Sequence, residues 1–132
     1  MAALRILLVD DEKALLALLK RHLERCGHSV VDALSAELAR VALSSAAEPN
    51  VWQPDILIAD ETLPGDPGSQ LARELLERFP GMLCLLCSGY PLSLDTLPEA
   101  MRSRAAILQK PYMPAALERA ITDLTASTPP SI

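Results

Sequence analysis

Short apolar runs that stop at polar residues recur along this chain, and stretches with helical spacing separate them. Residues 4–9 form the first such run, broken only by Arg5 and ending at Asp10, Asp11 and Glu12. A bounded apolar run of this length predicts a buried strand. A helix follows, with Leu15, Leu18, Leu19, Leu23 and Cys26 assigned to its buried face and Gly27 as its C-terminal stop. Residues 28–34 predict a second strand. Ser35 is placed to cap a second helix running to about residue 46, with Leu38, Val41 and Ala42 inward. A polar connection containing Trp52 is expected to pack over the bottom of the sheet. It leads to Ile56, Leu57, Ile58 and Ala59, a third strand between Pro54 and Pro64-Gly65 that ends at Asp60. The third helix reaches about Arg78 and buries Leu71, Ala72, Leu75, Leu76 and Phe79. Pro80-Gly81 ends it.

Residues 82–87 predict a fourth strand, followed by Ser88-Gly89-Tyr90-Pro91. A fourth helix is expected near residues 94–103, shortened by Pro98. Residues 105–109 predict a fifth strand ending at Lys110-Pro111. The last helix puts Leu117, Ala120, Ile121 and Leu124 on its apolar face. Five strands alternating with five helices, without hairpin signals, predict an α/β fold: a (βα)5, doubly wound, five-stranded parallel sheet covered on both sides as a three-layer sandwich. One domain is expected over residues 1–126, with residues 127–132 a disordered tail.

Composition narrows the function classes. The 132 residues are 50% hydrophobic and 22% charged, which suits a globular core. With aromatics at 3%, a net charge of -5 and no basic run, direct nucleic-acid binding is not expected. No run is long enough to span a membrane and no signal peptide is legible, so a cytoplasmic setting is expected. The three cysteines, Cys26, Cys84 and Cys87, make no disulfide framework. Cys84 and Cys87 lie three apart on a strand, which points them to opposite faces as structural thiols rather than a redox pair. His22 and His28 read as helix-surface or loop residues without ligand partners.

The chemistry gathers where the strands end. In a parallel sheet all carboxyl ends share one edge, where ligands bind. Asp10 and Asp11, Asp60, Ser88 and Lys110 each follow a predicted strand there. Carboxylates so close repel unless protonated or joined by a cation, and oxygen donors without His or Cys select a hard ion such as Mg²⁺. A lysine and a hydroxyl beside that ion equip the site to hold a phosphoryl group, with Asp60 as the nucleophile that forms an acyl phosphate.

The motifs LLVDDE, PDILIAD…LPG, LLCSGY and LQKPY give the chain, from about Arg5 to about Leu124, a close resemblance to the response-regulator receiver domains of two-component signalling, a CheY-like, flavodoxin-like fold. That resemblance implies a phosphoacceptor domain of a two-component or phosphorelay system. Asp60 accepts the phosphoryl group from a histidine kinase or histidine phosphotransfer protein. Asp10, Asp11, Asp60 and the backbone carbonyl of Thr62 hold Mg²⁺, with Mn²⁺ as a substitute. Ser88 and Lys110 bind the phosphoryl oxygens, and the Lys110–Pro111 peptide bond is cis. Output passes to a protein partner, or to the rest of a hybrid kinase, through the face of the fourth helix, fifth strand and fifth helix, with phosphorylation-dependent homodimerisation as a further expectation. The domain is not expected to turn over an external metabolite; it catalyses only its own phosphorylation and dephosphorylation.

Two positions depart from the family pattern. Ile107 stands three residues before the lysine, where many receivers carry an aromatic switch residue, and Tyr90 is the alternative candidate gate. Glu61, Thr62 and Gly89 are expected to line the entrance and tune the lifetime of the phosphate. Two other readings compete with it. One is an interaction module that keeps the fold without phosphorylation. The other is an aspartyl-phosphate phosphatase of the haloacid-dehalogenase type, which wants a D-x-D pair after the first strand where this chain has adjacent acids.

Overall fold

A computed structural model describes residues 3–44 and 52–127. Five strands, β1 (Arg5–Val9), β2 (Ser29–Ala33), β3 (Ile56–Asp60), β4 (Leu83–Ser88) and β5 (Ala105–Gln109), form one parallel sheet in the order β2-β1-β3-β4-β5. Among the described residues four α-helices accompany them: α1 (Lys13–Arg25), α2 (Ala36–Ser44), α3 (Gly68–Arg78) and α4 (Pro114–Ser127). The C-terminal tail expected at 127–132 lies outside the described residues apart from the last residue of α4.

The strands sort their side chains by the two-residue period of a pleated sheet. Leu7, Val9, Leu57, Ala59, Cys84 and Leu86 enter one apolar cluster, with α2 and α3 residues. Ile6, Leu8, Ile56, Ile58, Leu83, Leu85 and Cys87 enter the other, with α1 and α4 residues. Cys84 and Cys87 thus lie on opposite faces, as expected, and both are buried. Trp52 packs on the cluster beside α2 and α3.

Three expectations are corrected. The fourth helix is not α-helical: it is two 3₁₀ segments, Leu94–Thr96 and Glu99–Arg104. Pro98 separates them, and Leu97 before it is extended at φ −108, ψ 150, the conformation a following proline imposes. The buried face of α1 is Leu16, Leu19 and Leu23, while Leu18 is 57% exposed and Cys26 is exposed. On α2 the small residues Ala36 and Ala39, with Leu43, face the core, and Leu38 and Val41 point outward. On α2 side-chain size misplaced the stripe, because alanines suit a helix lying against the sheet.

Arg104 fastens the end of α3 to this frame. Its guanidinium donates to the carbonyls of Leu76 (3.0 Å), Phe79 (2.7 Å) and Met82 (3.1 Å). These include carbonyls left open where the helix stops. Arg104→Ala is expected to lower the unfolding free energy by about 2 kcal/mol, the scale of charge-assisted hydrogen bonds. A urea titration reads this as a lower midpoint at unchanged slope. Lysine, which lacks the planar fork, is not expected to restore it.

Candidate functional site

The strand order reverses direction between β1 and β3, so their carboxyl ends open the crevice where such sheets bind ligands. Asp10 leaves β1 there with its N–H donated to the Ala33 carbonyl (3.1 Å). Asp60 is the last residue of β3, paired with Cys87 of β4. Asp10 and Asp60 are buried and Asp11 is exposed. One carboxylate oxygen from each of the three lies within 4.8 Å of the others.

Lys110, just past β5, reaches into this group. Its Nζ lies 2.9 Å from Asp10 Oδ2, 3.5 Å from Asp60 Oδ2 and 3.6 Å from Glu12 Oε1. Its backbone N–H donates to the Ser88 carbonyl (2.7 Å), which fixes the strand end. The Lys110–Pro111 peptide bond is cis. Burial pushes the ammonium's pKa down, but Asp10, with Asp60 and Glu12, outweighs it and holds the group above its ordinary value. Burial raises Asp60 above the usual carboxylate range; Lys110 opposes this and the charges of Asp10 and Asp11 add to it.

Other predicted residues are placed differently. Ser88 is fully buried, and its hydroxyl is engaged by its own loop: it donates to the Tyr90 carbonyl (2.7 Å) and accepts from the Tyr90 N–H (3.1 Å). Tyr90 itself is 49% exposed. Ile107 pairs with Leu86 across β4 and β5 and packs on the core beneath the 3₁₀ segments. Thr62 is exposed in the loop after Asp60. Glu61 is buried and caps α3: its carboxylate accepts from the Ser69 N–H (2.6 Å) and hydroxyl (2.8 Å).

Gly68 carries a constraint that the sequence reading missed. It opens α3 with its N–H donated to the Glu61 carbonyl (3.1 Å), and a Cβ there would collide with the Asp60 carbonyl. The helix can approach the end of β3 only because no side chain intervenes. The PGDPG stretch signalled a turn, and nothing local distinguished the glycine that touches β3. Glu12, at the start of α1, faces Lys110 as well. A cleft lined by Glu12, Leu15, Gly89, Lys110, Pro111 and Tyr112 opens beside the ammonium.

The three carboxylates fit a hard divalent ion: all donors are oxygens and they converge. No helix among the described residues is long and apolar enough to cross a membrane.

A family model described as the response regulator receiver domain matches residues 6–122. The response regulator protein FleR of Pseudomonas aeruginosa is 36% identical over 125 residues, covering 94% of this chain and 24% of that protein. The virulence sensor protein BvgS of Bordetella pertussis is 35% identical over 142 residues, covering 98% of this chain and 11% of that protein. This chain therefore spans a quarter or less of either relative. Among solved structures, a CheY-like receiver domain protein from Methanospirillum hungatei superposes with a TM-score of 0.75 at 27% identity, covering 96% of this chain and 97% of that one. A receiver protein from Sinorhizobium medicae gives 0.74 at 30% identity, covering 96% and 98%. With the matched model spanning both the sheet and the carboxylate rim, the chain belongs to the response-regulator receiver domain family.

Proposed function

We propose that this domain is the phosphoacceptor of a two-component or phosphorelay system and carries the phosphoryl group on Asp60. The observation that carries this reading is the convergence of Asp10, Asp11 and Asp60 within 4.8 Å, with Lys110 Nζ 2.9 Å from Asp10 and 3.5 Å from Asp60. Asp60 Oδ attacks the phosphorus of a phosphohistidine on a histidine kinase or phosphotransfer protein. An O–P bond forms as the P–N bond breaks, and the electron pair returns to the imidazole. Asp10, Asp11, Asp60 and the Thr62 carbonyl would hold Mg²⁺, with Mn²⁺ as a substitute. That ion supplies charge neutralisation at the phosphoryl oxygens. The Lys110 ammonium leaves its carboxylate partners for a phosphoryl oxygen, and the Ser88 hydroxyl exchanges the Tyr90 carbonyl for another.

That second exchange links chemistry to output. Freeing the Tyr90 carbonyl loosens the loop after β4, so Tyr90 serves as the gate while Ile107, held in the core, does not rotate. The face of the 3₁₀ segments, β5 and α4 then presents the altered surface to a protein partner, to a second copy, or to further domains of a longer chain. The site acts in the cytoplasm on its own aspartate rather than on a metabolite.

The test is incubation with Mg²⁺ and a small acyl-phosphate donor, read by intact mass. The expected result is a gain of one phosphoryl group per chain that disappears when the divalent ion is chelated beforehand. No gain with Mg²⁺ would overturn the proposal in favour of a binding module; an undiminished gain with chelator would overturn the role of the metal.

A further inference from the structure

His22, Cys26 and Glu118 form a second convergent group, at the other end of α1 from the carboxylate rim. His22 and Cys26 stand four residues apart, one above the other on the helix surface, and Glu118 meets them from α4, 92 residues after Cys26. The Cys26 thiol donates to Glu118 Oε1 (3.0 Å), and His22 Nε2 lies 3.2 Å from Glu118 Oε2. One ligand atom from each of the three lies within 4.8 Å of the others. His22 Nε2 is shielded from solvent and makes no hydrogen bond of good geometry, although it lies 3.2 Å from Glu118 Oε2. We propose that His22, Cys26 and Glu118 form a zinc site that ties the first helix to the last.

The donor set argues for the ion. An imidazole, a thiolate and a carboxylate match the nitrogen, sulfur and oxygen ligands of Zn²⁺, whereas Mg²⁺ takes oxygen alone. Tetrahedral zinc keeps ligand atoms roughly 3.3–3.6 Å apart, given bonds of about 2.0–2.3 Å. The observed 3.0 and 3.2 Å contacts run to different oxygens of Glu118, and one ligand atom from each residue lies within 4.8 Å of the others. A turn of the Glu118 carboxylate and a modest closing of three partly exposed side chains bring them to this spacing. Three protein ligands leave the fourth position to water. On binding, the Cys26 S–H bond breaks heterolytically: its proton leaves to solvent and the sulfur electron pair goes to the metal. The imidazole binds through the Nε2 lone pair with its proton on Nδ1. The 13 residues of α1 place this group about 20 Å along the helix from Glu12, so the inference does not depend on the chemistry of Asp60.

The full-length chain, reduced and with Mg²⁺ in excess to occupy the carboxylate rim, is titrated with Co²⁺ and followed by absorbance, then with Zn²⁺ as competitor. One Co²⁺ per chain with a thiolate-to-cobalt charge-transfer band is expected, and Zn²⁺ should displace it. Cys26→Ser should abolish the band, and His22→Gln and Glu118→Gln should each weaken Co²⁺ binding by more than about tenfold, the loss that even outer-shell partners cause. Zn²⁺ should raise the thermal midpoint of the native chain and leave that of Cys26→Ser unmoved, which separates binding to the fold from binding to thiols exposed by unfolding. No charge-transfer band, a band that survives Cys26→Ser, or affinity indifferent to His22→Gln would overturn the site.

Discussion

Asp60→Asn is expected to gain no phosphoryl group from a small acyl phosphate under conditions where, on the proposed function, the native domain should gain one. The amide oxygen keeps the shape of the carboxylate but lacks its charge, so it is a poor nucleophile. It also removes one of the three carboxylates that converge at the rim, leaving Asp10 and Asp11. Removing the nucleophile is expected to slow uptake by on the order of 10³-fold or more. The same substitution should not destabilise the fold. Burial holds Asp60 above the usual carboxylate range, which means that its charged form is disfavoured in the native state. The native state then binds more protons than the unfolded chain as pH rises through that range, so the ionised side chain subtracts from stability above it. A neutral amide removes that cost, and the urea midpoint at pH 7 should stay level or rise. Lost uptake with an intact midpoint locates the effect in chemistry. Uptake by the variant at the native level refutes Asp60 as acceptor.

What made this site legible was the coincidence of two periods. Runs such as Ile56 to Ala59 and Leu83 to Cys87 are buried on both faces, as strands in the middle of a parallel sheet must be, so their ends mark the rim without any knowledge of packing. The strand ends alone therefore place Asp10, Asp60 and Lys110 at one rim. Helix phase was harder to read. Leu15, Leu16, Leu18 and Leu19 offer two overlapping stripes on α1, and only contact with the sheet decides that Leu16 and Leu19 turn inward. Partners far apart in the chain carry no local mark at all. Arg104 meets carbonyls up to 28 residues away, and Cys26 meets Glu118 across 92. His28, read as a helix-surface or loop residue, does lie in the loop between α1 and β2 but is buried there: its Nδ1 accepts the Leu4 N–H (3.0 Å), and burial lowers its pKa. A histidine that joins two chain segments looks the same in sequence as one in solvent.

Lys110→Ala separates the two parts that the ammonium plays. In the structure it is a cation of the acidic cluster, 2.9 Å from Asp10 and 3.5 Å from Asp60, both buried. On the proposed function, an incoming Mg²⁺ would have to displace it from those oxygens. Without it the carboxylates repel each other with no counter-charge, so a divalent ion gains more by joining them, and Mg²⁺ affinity should rise about tenfold, or about 1.4 kcal/mol, at low salt. The metal-free variant should unfold at lower urea than the native chain, and Mg²⁺ should recover most of that difference. The phosphoryl transfer itself should slow by about a hundredfold, as when one preorganised donor to a developing charge is removed. Lys110→Arg keeps the charge but brings a wider planar group, so it should restore stability without restoring the rate. Calorimetric titration with Mg²⁺ and the time course of mass gain read the two effects separately. Weaker Mg²⁺ binding in Lys110→Ala would show that the lysine organises the carboxylates for the ion instead of competing with it, and an unchanged rate would remove it from the transfer step.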